Sequence, residues 1–354
     1  MTKIYSKLAL YASLLLLAPL MAALITPAPA VASSDPPPAV GTDHDGNEYV
    51  FWENANQGLE TVKYTEAKHT WGNPQAVTVD GHGMGPLGSA PTVAVDYDTG
   101  YQYVFWKGTA PNSELFEAYF NANGWHGPTE VKNGSDEMGP LNSAPTAGID
   151  TNGVEYVFWK STTGTLWWTH WDPANGWVDP HTVTDGSGHD MGTLGSGPAA
   201  GIGYGGTNPT QFVAWEGAGA TPQLWYANAR GLFTAPEAEW SGPNEALSSQ
   251  AGGGLGPLGS QPTACTLPGS QTNPTTYVAW KSTVSDLEVS SSSGEVDWSP
   301  PTAENMGPLN SPPALSCGTS IRAFWKGTNG DLWEAYSSDG TNWAGPIDQS
   351  IGLN

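Results

Sequence analysis

Six aromatic strands recur at near-regular intervals, and this repeat constrains the fold more than any other feature of the chain. They read YVFW from Tyr49, YVFWKG from Tyr103, YVFWKS from Tyr156, FVAWEG from Phe212, YVAWKS from Tyr277 and RAFWKG from Arg322. Their tryptophans, Trp52, Trp106, Trp159, Trp215, Trp280 and Trp325, stand 54, 53, 56, 65 and 45 residues apart. A connector repeats in step with them: MGPLGSAP at 84, MGPLNSAP at 138, MGTLGSGP at 191, LGPLGSQP at 255 and MGPLNSPP at 306. A period of this length marks a chain of like units, each too small to bury its apolar face alone. A catalytic loop is needed once, whereas a joint is needed at every repeat. The connector therefore reads as a joint, in which Gly and Pro set a sharp passage and Leu87 and its counterparts fill the gap between units.

In the second unit, four strand-like stretches at 91–95, 102–107, 115–120 and 125–131 are divided by turn signals at 98–100, 110–112 and 121–124. No segment carries a helical period. Four short antiparallel strands per unit, written six times, predict an all-β fold: a six-bladed β-propeller of four-stranded blades. Residues 350–354 look like the start of a sixth connector and residues 33–40 like its continuation, which places the seam of a closed ring at the chain ends. Closure removes sheet edges that would otherwise be free to aggregate.

Residues 1–32 read as an export signal, with Lys3 and Lys7, an apolar run from Leu8 to Leu24, and the small-x-small sequence Ala30-Val31-Ala32. Pro19 interrupts the run, which argues against a membrane-spanning anchor. The expectation is a secreted, extracellular protein whose single propeller domain is 33–354, without membrane insertion. Losing Lys3 and Lys7 leaves nine basic and 34 acidic residues, a formal charge of −25. With Arg230 and Arg322 as its two arginines, the chain lacks the basic patches that nucleic acid and anionic membranes require, so a neutral partner is expected. Its 45 glycines and 30 prolines suggest disorder by composition, but the periodicity and 17 tryptophans oppose it. The two cysteines, Cys265 and Cys317, can form one disulfide in an oxidising compartment.

Twelve tryptophans occupy two recurring slots. Those of the aromatic strand read as core. A second set, Trp71, Trp125, Trp177, Trp240, Trp298 and Trp343, opens the fourth strand beside turn residues and is expected to be half exposed. A half-exposed indole beside carboxylates and amides suits a sugar, whose apolar face lies on the ring while its hydroxyls take hydrogen bonds; a protein partner fits the same surface. Lys107, Lys160, Lys281 and Lys326 follow the strand tryptophans and read as solvated strand ends. The histidines show no repeated slot and no H-E-x-x-H spacing, so neither a metal nor another cofactor is expected. Asp43-His-Asp45, Asp96-Tyr-Asp98 and Asp150-Thr-Asn152 read as turn chemistry, without the glutamate of an EF-hand loop. GIGYGG at 201–206 matches a dinucleotide fingerprint by letters but leads into a strand, and reads as a hairpin turn.

The last unit, RAFWKGTNGDLWEAY from Arg322 and then SSDGTNW to Trp343, resembles one blade of the fucose-binding six-bladed propeller lectins, and its GTxGxLW core is similar to tectonin-type propeller lectins. The resemblance implies a non-enzymatic protein that binds neutral glycans, fucosylated ones among them, at aromatic sites between blades. It assigns Arg322 and Glu334 the polar contacts, with Trp343 or a tryptophan of the adjoining blade as platform. Elsewhere Tyr49, Tyr103, Tyr156, Phe212 and Tyr277 stand in the arginine slot, and of the other units only the second keeps the glutamate, as Glu117. Candidate ligand residues are thus Arg322, Glu334, Trp343, Tyr103, Glu117, Trp125 and Trp177. Weak single sites act through several blades at once, and a homo-oligomer is compatible with that. A propeller scaffold for a protein partner and a secreted glycoside hydrolase are the competing readings. A sialidase needs three arginines for its substrate carboxylate, and this chain has two.

Overall fold

The computed structural model of the protein describes residues 35–353, apart from 112, 204–209, 221, 231–239, 268–273, 295–296 and 304. The segment read as an export signal, Ser33 and Asn354 at the expected seam, and the turn after Gly203 lie outside the described residues. Within them the chain forms six antiparallel sheets of four or five strands, one for each sequence unit and each from a continuous stretch of chain, together with three two-stranded ribbons. Inner strands Ala39–Thr42, Thr92–Val95, Thr146–Ile149, Ala199–Gly203, Thr263–Thr266 and Ala314–Cys317 belong to blades 1 to 6 in turn. Each lies beside the next, and the sixth lies beside the first, so the ring is closed. The one helical element described is a single 3-10 turn, Glu66–Lys68. The fold is an all-β six-bladed propeller.

Side chains of a strand alternate between its two faces, and here the two faces look into two different grooves. In the second strand of blade 6, Ile321–Lys326, residues Ile321, Ala323 and Trp325 pack with Tyr277 and Ala279 of blade 5, while Phe324 packs with Val50 and Trp52 of blade 1. The six strand tryptophans are all core, with exposures of 1 to 3%. The YVFW run is thus continuous in hydrophobicity because both faces of each blade are covered.

The fourth-strand tryptophans act as wedges. Trp125 meets Phe51 of the preceding blade edge-on at 5.8 Å, Trp177 meets Phe105 at 5.8 Å, Trp240 meets Phe158 at 5.7 Å and Trp71 meets Phe324 at 5.9 Å. Where Ala214 replaces that phenylalanine, Phe212, two residues earlier on the same face, supplies the ring for Trp298 at 5.6 Å. The expectation that this whole slot is half exposed fails at two positions: Trp240 and Trp298 are 4% and 1% exposed, because aromatic neighbours Trp168 and Tyr226 close over them.

The connectors join the blades through their backbone as well as their side chains. Leu87, Leu141, Leu194, Leu258 and Leu309 are buried, and each N–H donates to a carbonyl of the preceding turn, those of Gln57, Ser113, Gly164, Pro222 and Ser285. Leu353 repeats this bond to Gly330 at 2.9 Å, which identifies residues near 353 as the first half of the sixth joint. Asp35 supplies its continuation, pairing with Lys326 at 3.6 Å and accepting from Asn310. Gly41 lets the first inner strand approach the second, since a Cβ there would meet Val95 at 2.4 Å. Cys265 and Cys317 are bonded and tie the inner strands of blades 5 and 6 together.

Candidate functional site

The grooves between adjacent blades are built from four repeated slots. One blade contributes the residue three before its strand tryptophan and a third-strand partner two residues away in register; the next contributes the residue four before its strand tryptophan and its fourth-strand tryptophan. The predicted ligand residues divide among four such grooves. Arg322 and Glu334 face blade 1, Trp125 lies between blades 1 and 2, Tyr103, Glu117 and Trp177 lie between blades 2 and 3, and Trp343 lies between blades 5 and 6. Trp343 is therefore on the opposite face of its blade from Arg322, packed with Ala323 and Trp325, and Trp71 of the adjoining blade is the indole on the arginine side.

Between blades 6 and 1, one guanidinium is held by three carboxylates. Arg322 Nη1 donates to Glu334 Oε1 at 2.6 Å, Nη2 to Glu66 Oε2 at 3.4 Å and Nε to Ser320 Oγ at 3.3 Å, while Glu48 Oε1 lies 3.6 Å from Nε. The cation also lies over the rings of Tyr64 at 5.1 Å and Tyr336 at 5.7 Å. Gln349 donates to Glu334, and the hydroxyls of Thr42 and Ser316 donate to Glu48. Burial pushes Glu48 up to about 7 against these donors and against Arg322, so the cluster retains a proton in mildly acidic solution. Glu334 is likewise pushed up by burial, although Arg322 opposes the shift.

Between blades 1 and 2 the same slots are differently filled and leave a cleft of about 630 Å³. Tyr49 replaces the arginine and Thr61 the glutamate. Tyr49 donates to Asp43 of its own inner turn at 2.9 Å and accepts from Lys63 at 2.9 Å, so a neutral phenol needs no carboxylate pair to satisfy it. Asp43 in turn accepts from the backbone N–H groups of Asp45 and Asn47, and Asp150 repeats the arrangement with Asn152, Val154 and Tyr156; these aspartates brace turns. The cleft is walled by half-buried Trp125 and Phe120 on one side and by Tyr49, Thr61 and Lys63 on the other, with Gln102 at its floor.

Other grooves are filled by aromatic rings. Tyr156, Trp168 and His170 stack between blades 3 and 4 with centroids 5.2 to 6.4 Å apart, and burial pushes His170 below its ordinary range. Phe212, Tyr226 and Trp298 fill the groove of blades 4 and 5. Among the described residues no group of three or more His, Cys, Asp or Glu is arranged to hold a metal.

Sequence reasoning misses Glu48, Glu66 and Glu155. The signal for two of them lies four residues before the strand tryptophan, where Glu48, Gln102, Glu155, Gln211, Thr276 and Ile321 vary among charged, amide, hydroxyl and apolar side chains.

No family model matches the chain, and no curated protein matches it in sequence. Solved structures do match in shape. AofleA from Arthrobotrys oligospora superposes with a TM-score of 0.63 at 15% identity, covering 89% of this chain and 87% of that one. The fungal lectin of Aleuria aurantia, described as a six-bladed β-propeller with a fucose recognition mode of its own, gives a TM-score of 0.58 at 12% identity over 89% and 95% of the two chains. The chain has the fold of the six-bladed propeller lectins. The BP39L lectin of Burkholderia pseudomallei adds a TM-score of 0.56 at 19% identity, with 89% of this propeller and 99% of that chain covered.

Proposed function

We propose that the protein is a secreted, non-enzymatic carbohydrate-binding propeller that takes neutral glycans in the cleft between blades 1 and 2. The observation that carries this reading is the cleft itself: about 630 Å³, with a half-buried indole on one wall, hydroxyl and ammonium groups on the other and an amide at its floor. A volume of several hundred cubic ångströms suits a ligand of one or two sugar rings. Trp125 offers an apolar face to a pyranose, held edge-on by Phe51 so that little side-chain entropy remains to be lost. Lys63, Tyr49, Thr61 and Gln102 offer donors and acceptors for its hydroxyls. The fold it shares with lectins supports the class of ligand.

Fucosylated glycans enter through a second reading, favoured by the Arg322–Glu334 pair and the 40% exposed Tyr336 beside it. A fucose there has to displace Glu66, the most exposed of the three carboxylates around Arg322, with 34% of its side chain accessible.

A glycan array with the full chain tests both. The proposal expects binding to neutral glycans that survives chelation and is lost in Trp125→Ala. A blank array across fucosylated, mannosylated and GlcNAc-bearing glycans contradicts it. Loss of binding in Arg322→Ala, or stronger binding in Glu66→Ala, with Trp125→Ala unaffected moves the site to the groove of blades 6 and 1.

A further inference from the structure

The groove between blades 2 and 3 repeats the carboxylates of the blade 6–blade 1 cluster without their cation. Glu117 stands in the third-strand slot of Glu334, Glu155 begins its second strand as Glu48 does, and Tyr103 occupies the slot of Arg322. In the first cluster the guanidinium bridges the two positions, 2.6 Å from Glu334 and 3.6 Å from Glu48. A phenol cannot do so, because it carries no charge at neutral pH.

Glu155 is 3% exposed, and its Oε2 is buried with no hydrogen-bond partner. Glu117 opposes it across the groove and receives the indole N–H of Trp177. Burial pushes Glu117 up to about 7, and burial together with the charge of Glu117 pushes Glu155 well above the usual carboxylate range. Blade 2 brings further titratable groups to the pair: Tyr103, with Asp96 and Tyr101 near it, and Tyr119 stacked on His126 at 4.6 Å. Of these, only His126 can become positive.

We propose that this groove is a second binding site, for a sugar bearing a free primary amine, whose ammonium takes the place between Glu117 and Glu155 that Arg322 holds between Glu334 and Glu48. An ammonium has three donors, which the two carboxylates and the Tyr103 hydroxyl can accept. A metal ion fits less well, since two carboxylates fall short of its usual ligand set. Trp177 and Tyr103, half-buried at this groove, supply rings for the sugar body. The sugar rests on the carbohydrate-binding reading above; the ammonium rests on two buried glutamates that share the groove without an arginine and leave Glu155 Oε2 unbonded.

Calorimetry with the full chain tests it, using the glucosamine trimer and its fully N-acetylated counterpart as probes. The amine form is expected to bind at least about tenfold more tightly at pH 7, as a charge-assisted contact is lost on acetylation. Its binding should release protons, read as a dependence of the apparent enthalpy on buffer. Affinity should fall as pH drops from 7 to 5 and protons return to the pair. His126→Asn should keep that fall, and Glu155→Gln should lose both amine binding and proton release. Tyr103→Arg supplies the missing cation from within, and should abolish amine binding while the protein stays folded. Equal affinity for the two trimers, absence of proton release, or amine binding that survives Tyr103→Arg would overturn the proposal. If neutral glycans still bind over Trp125 in that event, the amine site falls and the lectin reading stands.

Discussion

The groove of blades 6 and 1 and the groove of blades 1 and 2 are built on the same four slots, yet one is packed with charge and the other is open. Arg322 in the first draws in Glu334, Glu48 and Glu66 and two tyrosine rings, so the arginine that most resembles a sugar-binding residue is already engaged within the protein. Tyr49 in the second satisfies itself on Asp43 and Lys63, and about 630 Å³ remains between the blades. A residue type can match a ligand motif while its surroundings turn it into a strut. Repetition of a slot does not imply repetition of a role.

The largest test of this contrast is Arg322→Ala. It leaves Glu48 and Glu334 buried without a counter-charge, and a loss of about 3–5 kcal/mol in urea unfolding is expected, whereas a loss below about 1 kcal/mol would mean that the cluster is not structural. Next comes the pH dependence of stability. Glu48 is raised from 4.5 to about 7 in the folded state, so the native protein holds more protons than the unfolded chain between those values. The associated stability is fully present below about pH 4.5 and is lost as pH rises through 7, by about 3 kcal/mol for this one group. Glu48→Gln should flatten that slope, as read from melting temperatures at pH 4.5 and 7.5; an unchanged slope would assign the proton elsewhere. The smallest effect sharpens the open groove. Tyr49→Arg should cost about 1–3 kcal/mol, as a guanidinium set against the Lys63 ammonium and beside an Asp43 already engaged by its own turn, and Thr61→Glu in the same chain should recover part of it and abolish glycan binding.

The period of the strand tryptophans and the connector was sufficient for the six blades, because the ring repeats one packing solution and the sequence must restate it each time. The seam was legible for the same reason, through Leu353 and Asp35. The grooves were harder to read. The alternation of faces places Arg322 and Trp343 on opposite sides of one blade, and a list of aromatic slots cannot show that until the strand register is known. Glu48 and Glu155 were hidden because their slot changes chemistry from blade to blade, so it has no repeated letter. The burial of Trp240 and Trp298 depends on neighbours across the groove, Trp168 and Tyr226, that lie on other strands.

A crystal of the full chain soaked with a neutral glycan that scores on the array addresses the central claim most directly. The account predicts a sugar ring lying on Trp125, with hydroxyls within reach of Lys63 and Gln102 and the Arg322 cluster unmoved. A sugar bound instead to Arg322, with Glu66 swung away and the cleft between blades 1 and 2 empty, would contradict it.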